Sequence, residues 1–309
     1  MSKKRFLLPV AAIAAAALLA GCASDGNNNG SGEEELTPLT LQFVPTRTEQ
    51  DMEAAAQPLA KLLSEQLGRE VKVTIATDYT TIIEAMASNK IDIGIMPPAT
   101  YAIAHDQGAA DAILSAQIQA TDEKTASKIP GELVDGFRGE ILVRADSGLN
   151  SLQDLKGKSL AVQGPASASG YIFPIVEISE AGMDIHKDIS LINIAGIDSA
   201  ILAVINGEVD AALSFEGGRS IMKGDFPNIT DEVKVLYLTK AKIPNDAIAV
   251  NTKMDAALRE QVRAAFLAIA ADPAGLEIVS KLYSHMGYVE SNDSDFNIVR
   301  EYTKKAAEL

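Results

Sequence analysis

The sequence predicts an α/β protein with two lobes, each a mixed, mostly parallel sheet flanked by helices. Three observations predict it. From residue 39 onward, short apolar runs alternate with longer stretches of helical periodicity, which implies sheets covered by helices. Two stretches, NKIDIGIM (89–96) and NGEVDAALSF (206–215), each place a polar turn, an Asp step and a strand after a helix, which suggests two similar lobes. The composition, 47% hydrophobic and 22% charged over 309 residues, is that of a globular chain with room for two domains.

The first 21 residues stand outside that fold. Lys3, Lys4 and Arg5 precede an apolar run from Phe6 to Ala20, the pattern of an export signal. The run is short for a membrane anchor. It ends in Leu19-Ala20-Gly21-Cys22, which resembles the bacterial lipobox, and Cys22 is the only cysteine. The resemblance implies that Cys22 carries a lipid anchor that holds the chain to the cell membrane on its extracytoplasmic face. Residues 22–36 continue as Asn, Gly, Ser and Glu, the composition of a flexible linker.

Within the body, LTLQFV (39–44) reads as a strand. Residues 49–67 read as a helix, with Leu59, Leu62, Leu63 and Leu67 at helical spacing. A strand at 71–76, a helix at 80–88 and a strand at 91–96 follow. The pattern resumes with a strand at 140–145, a short helix at 151–158, a strand at 159–164 and a helix from about 169 to 181. Strands at 190–195 and 209–215 flank a helix at 198–207. Strands at 233–239 and 247–251 precede a strong helix at 257–271, and the tail after 275 reads as helical with breaks.

The net charge of −15 excludes a nucleic-acid partner, because phosphate backbones require Lys and Arg. Removing residues 1–21 takes away three of the 27 basic side chains, leaving 24 against 42 acidic ones and a net charge of −18. One cysteine and three scattered histidines make neither a disulfide nor a usual zinc site, so no metal or cofactor is expected. SASG is not the G-x-S-x-G of a nucleophile elbow, and no His sits in a catalytic setting, so an enzyme is not expected.

Five segments carry a family resemblance: DYTTIIEAMASNKIDIG (78–94), DSGLNSLQDLKGKSLAV (146–162), SASGYIFP (167–174), GIDSAILAVINGEVDAA (196–212) and IPNDAIAV (243–250). In this order and spacing, the chain resembles the phosphate/phosphite/phosphonate-binding (PhnD-like) substrate-binding lipoproteins of ABC importers. The resemblance implies the type II periplasmic-binding-protein clamshell. Residues 37–140 plus 248–309 would form lobe 1 and residues 141–247 lobe 2, with crossings near 139–146 and 241–248. It implies a monomer that traps a small polar or zwitterionic solute, such as a phosphonate or phosphite, in the interlobe cleft. The solute would pass to an ABC permease and its ATPase. A membrane-tethered sensor or adhesin on the same fold is the alternative.

The resemblance also places candidate ligand residues. The family holds its anion with a Ser-Thr-Ser run at a helix start; here the run is Ser167-Ala168-Ser169, one hydroxyl short. Without the resemblance, these serines read as a helix cap. Tyr79 matches a family pocket tyrosine, and Tyr101 follows a strand end that could face the cleft. A family His is replaced by Ile197, directly before Asp198, and Phe137 stands where Tyr is common. Asp246 matches the position that holds an amino group in aminoalkylphosphonate binders, and Glu216 lies at or beside a second acidic position. Both acids read equally as solvated loop residues. Arg47, after the first strand, is either a cationic partner for an anion or a solvated loop arginine.

Overall fold

The computed structural model describes residues 36–44 and 49–309. The export signal, Cys22 and Arg47 lie outside the described residues. The chain opens with β1 (Leu39–Phe43), α1 (Glu49–Leu67), β2 (Val71–Ile75), α2 (Tyr79–Ala87) and β3 (Ile93–Met96). It continues with α3 (Pro98–Asp106), β4 (Ala110–Thr121) and β5 (Lys128–Val134). After the short strand β6 (Gly136–Phe137) come β7 (Gly139–Arg144), β8 (Lys158–Val162), α4 (Phe173–Glu180), β9 (Ile189–Asn193), α5 (Ile197–Ile205) and β10 (Ala211–Phe215). Then follow α6 (Ile229–Glu232), β11 (Val233–Leu238), the short β12 (Ile243–Pro244), β13 (Ala247–Asn251), α7 (Ala256–Ala271), α8 (Pro273–Tyr283), β14 (His285–Glu290) and α9 (Asn297–Ala307).

Local chemistry explains several of these boundaries. Asp78 caps α2 by accepting from the N–H groups of Thr80 and Thr81 at 2.9 and 2.8 Å. Asp255 caps α7 by accepting from Leu258 N–H at 2.8 Å. Asp272 caps α8, with Pro273 at the first helical position, where its missing N–H costs nothing. The α8 helix ends at Ser284, in the left-handed conformation with φ 60°. That break lets residues 285–290 leave as a strand, which corrects the expectation of a helical tail there.

The strands form two large sheets. The first runs β14-β4-β13-β3-β1-β2, with β5 also on β4; the second runs β11-β7-β10-β8-β9. Both are mixed, as expected, but the expectation of mostly parallel pairing is corrected. Parallel ladders join β1 to β2 and β3, and β8 to β9 and β10. The other six ladders are antiparallel. The reason lies in β7 and β13, the strands that follow each passage between sheets. Each is inserted between strands of opposite direction and so makes two antiparallel ladders. Helix–strand alternation reports only the parallel units and cannot see an inserted strand.

Apolar residues of α1, α7 and α8, among them Leu59, Leu63, Val262, Phe266 and Leu282, pack on one face of the first sheet. On its other face, α2 and α3 share a continuous buried cluster with Ala168, Phe173, Phe296 and Tyr302. That cluster spans elements on both sheets because α9 packs against both α3 and α4. The second sheet is covered by α4 on one side and by α5 and α6 on the other.

The chain passes between the sheets twice, after β5 and after β11. The two passages pair with each other as β6 and β12, with Phe137 opposite Ile243 and Gly136 opposite Pro244. A side chain at Gly136 has no room: its Cβ would lie 2.6 Å from the carbonyl oxygen of Ile243. Gly136→Ala is therefore expected to destabilise the fold by about 1–3 kcal/mol, since backbone must move to admit the methyl group. Urea denaturation reads this directly, and an unchanged midpoint would show that the paired passages separate freely.

Candidate functional site

A cleft of about 140 Å³, open to solvent, lies where residues from both sheets and both passages meet. One wall is the start of α2. Tyr79 is its first residue, aimed by the Asp78 cap. Burial raises the Tyr79 pKa and Asp246 raises it further, while a bond with the Ser167 hydroxyl works against both.

The facing wall is the stretch Ser167–Ser169. Residues Ala168–Ile172 form a single π-helical turn that runs into α4, closed by Ile172 N–H donating to Ser167 O at 3.0 Å. Such turns recur at functional sites because they widen the helix and re-aim side chains. The Ser167 hydroxyl accepts from Gly170 N–H at 3.2 Å, so it does cap the turn. Gly170 is required there: a Cβ would fall 2.4 Å from Gln163 Cγ and 2.8 Å from Ser167 Oγ. Ser169 is half-buried on the cleft wall, and Ala168 is buried beside it.

The second passage supplies the acidic side. Asp246 Oδ2 lies 3.3 Å from Nε2 of His285, a buried ring whose Nδ1 meets the Tyr288 hydroxyl at 3.2 Å. Asn245 is anchored by donating to Ala116 O and Val134 O at 2.9 and 2.8 Å. Tyr283, whose hydroxyl donates to Val44 O, adds a second aromatic face. Burial holds its pKa well above the ordinary value, with Asp246 adding to the effect.

At the other end stand Phe137 and Phe215, edge to face with ring centres 6.5 Å apart. Glu216 follows Phe215. Its carboxylate accepts from Arg138 N–H at 3.0 Å and from the Arg138 guanidinium at 2.7 Å. The same guanidinium pairs with Glu123 of the β4–β5 connection.

The structure thus brings Tyr79, Phe137, Ser167, Ala168, Ser169, Glu216 and Asp246 to one cleft. It does not bring the other three candidates there. Tyr101 is buried against Phe296, ring centres 4.5 Å apart, and donates to Asp293 Oδ1 at 2.9 Å. Its aromatic bulk has gone to the core of α3. Ile197, 5% exposed, turns into the core between α5 and the second sheet, as an apolar side chain at that helix start must. Asp198 accepts from Ser199 N–H at 2.8 Å at the start of α5, away from the cleft. Residues the sequence reading missed also line the cleft: Lys128, Phe215, Tyr283 and His285. Phe215 was findable, since it closes a predicted strand at its carboxyl end. Lys128 and His285 sit on strands that carried no legible signal.

A family model described as ABC transporter, phosphonate, periplasmic substrate-binding protein matches residues 41–296. The chain is similar to the phosphate-import protein PhnD of Mycolicibacterium smegmatis, 33% identical over 215 residues, or 66% of this chain and 64% of that protein. It is 25% identical over 254 residues to the phosphonates-binding periplasmic protein of Escherichia coli, covering 81% of this chain and 71% of that one. Among solved structures, the binding-protein component of an ABC phosphonate transporter from Pseudomonas aeruginosa superposes with a TM-score of 0.75. That match is 21% identical and covers 87% of each chain.

Proposed function

This chain belongs to the family of periplasmic substrate-binding proteins of phosphonate ABC transporters, and on that premise we propose that it captures a small phosphonate or phosphate-like solute and delivers it unaltered to a permease. One observation carries this reading. Tyr79 from the first sheet's helix, Ser167–Ser169 from the second sheet's π-turn and Asp246 from the second passage converge on a single cleft. A solute touching all three would favour the arrangement in which the lobes meet, and binding energy would become closure. The proposed lobes are residues 37–140 with 248–309, and 141–247.

The proposed division of labour follows from the donors. The Ser169 hydroxyl and the N–H groups at the start of the π-turn can donate to an oxyanion. Asp246 accepts from an amino or hydroxyl group at the ligand's other side. The names of the mycobacterial and E. coli relatives, a phosphate importer and a phosphonate binder, support the anion class. Delivery requires a permease and its ATPase, and a monomer suffices for it. Attachment through a lipidated Cys22 would keep the body at the outer face of the membrane. Among the described residues, no helix is long and apolar enough to cross a membrane.

Thermal shift with methylphosphonate, 2-aminoethylphosphonate and inorganic phosphate tests the reading. A binder at a hundred times its dissociation constant is expected to stabilise the protein by about 2.7 kcal/mol. Ser169→Ala is expected to weaken binding about tenfold or more, the effect of one hydrogen bond to a charged group. No stabilisation by any of the three, with the protein folded, would reject the anion class.

A further inference from the structure

The proposed anion grip at Ser167–Ser169 takes up one part of the cleft, and the lining continues past it to Phe137, Phe215 and Ile221. Its opposite end has its own chemistry. Phe137 and Phe215 present ring edges and faces, and Ile118 and Ile221 complete an apolar wall. Into this end projects Lys128, the first residue of β5. Its ammonium donates to Thr121 Oγ1 at 3.0 Å and has no carboxylate within 4.0 Å among the described residues. Two of its three N–H bonds are therefore left for another acceptor. Burial lowers its pKa, the mark of a cation withdrawn from water, against the pull of Glu216 and Glu140.

The neighbouring acids do not consume this charge. Glu216 is bound by the Arg138 backbone and guanidinium, at 3.0 and 2.7 Å. Glu140 accepts from the N–H groups of Gly217 and Gly218 and faces Arg219. Lys128 is the only Lys or Arg among the described residues that line the cleft. A half-buried ammonium beside a wall of aromatic and aliphatic carbon suits a ligand that is itself apolar in the middle and anionic at its end.

The geometry points to a second subsite, built from Ile118, Lys128, Phe137, Phe215 and Ile221, that receives the organic substituent of the ligand. The substituent class is an aryl or similarly flat apolar group ending in a carboxylate or second phosphoryl group, with Lys128 as its partner. The substrate class deepens from simple phosphonates to bifunctional ones, anionic at both ends. This inference rests on the phosphonate reading above.

Isothermal titration calorimetry with methylphosphonate, phenylphosphonate and 4-carboxyphenylphosphonate separates the two. Wild type is expected to bind phenylphosphonate more tightly than methylphosphonate, and the carboxylated compound roughly tenfold more tightly again. Lys128→Met is expected to abolish that last preference, so that the ratio of the two affinities falls to about one whatever the change in each. Lys128→Arg is expected to retain the preference, and Phe215→Leu to narrow the gap between phenyl and methyl. If methylphosphonate binds but the carboxylate adds nothing, or if its gain survives in Lys128→Met, the second subsite is wrong and the phosphonate reading stands. If none of the three compounds binds the folded protein, both readings fall.

Discussion

Replacing Glu177 by alanine is expected to destabilise the protein by about 3–5 kcal/mol, because it removes a buried acceptor shared by four donors. Glu177 sits in α4 and is only 3% exposed. Its carboxylate accepts from the Tyr237 hydroxyl at 2.6 Å and from Lys240 N–H at 2.8 Å. It also accepts from Ala241 N–H at 3.1 Å and the Tyr302 hydroxyl at 3.3 Å. Those donors belong to β11, the start of the second passage, and α9. One side chain thus ties the passage and the C-terminal helix to the second sheet's flank. Alanine would strand two backbone N–H groups and two phenols, each costing about 1–3 kcal/mol if water does not replace the carboxylate. Phe173 and Tyr302, stacked 4.2 Å apart, would still hold α9 nearby and limit the loss. Glu177→Gln keeps an acceptor oxygen but turns an NH₂ toward donors, so an intermediate loss is expected. Urea denaturation of both variants gives the values. A loss under 1 kcal/mol for Glu177→Ala would mean that the passage is fastened elsewhere.

The passage that Glu177 fastens also shows what the sequence could and could not tell. Helix α1 was legible because Leu59, Leu62, Leu63 and Leu67 recur on one face, and the start of α2 because Asp78 is a good cap. Ser167 and Ser169 were legible because a short local motif placed them at a helix start. Asp246 was legible only through the resemblance. Its setting, next to a buried His285, comes from β14 pairing with β4. Strands β4 and β5 went unread because their half-exposed, polar-rich surfaces carry no clean alternation. With them went Lys128, which reaches the cleft only because β5 folds back along β4. Ile197 shows the opposite failure. A position carried over from the family kept its place at a helix start, but its apolar side chain follows the core. Local chemistry was readable from the sequence; pairing between distant strands was not.

The pH dependence of stability is expected to fall with the charge state of Glu140, and here the sign is unusual for a carboxylate. Glu140 is 1% exposed on β7. It accepts from Gly217 N–H at 3.2 Å and Gly218 N–H at 3.1 Å and faces Arg219. Burial outweighs these three favourable groups and pushes its pKa up to about 7, from an ordinary 4.5. The folded state therefore keeps its proton over a range in which the unfolded chain has lost it. Below pH 4.5 both states are protonated and the contribution to stability is complete. As pH rises from 4.5 to 7 the unfolded state is favoured progressively, and above 7 the loss is constant. The size is about 3 kcal/mol, at roughly 1.4 kcal/mol for each unit of displacement. Glu140→Gln keeps the shape and cannot ionise. The difference in unfolding free energy between wild type and this variant cancels the other titrating groups. It should turn against wild type by about 1–3 kcal/mol between pH 4.5 and 8. The consequence reaches the cleft, because Arg219 also donates to Glu123 O at 2.8 Å and so fixes the connection between β4 and β5 that leads to Lys128. A difference that stays flat across that range would mean that Arg219 and the two glycine amides keep Glu140 ionised throughout.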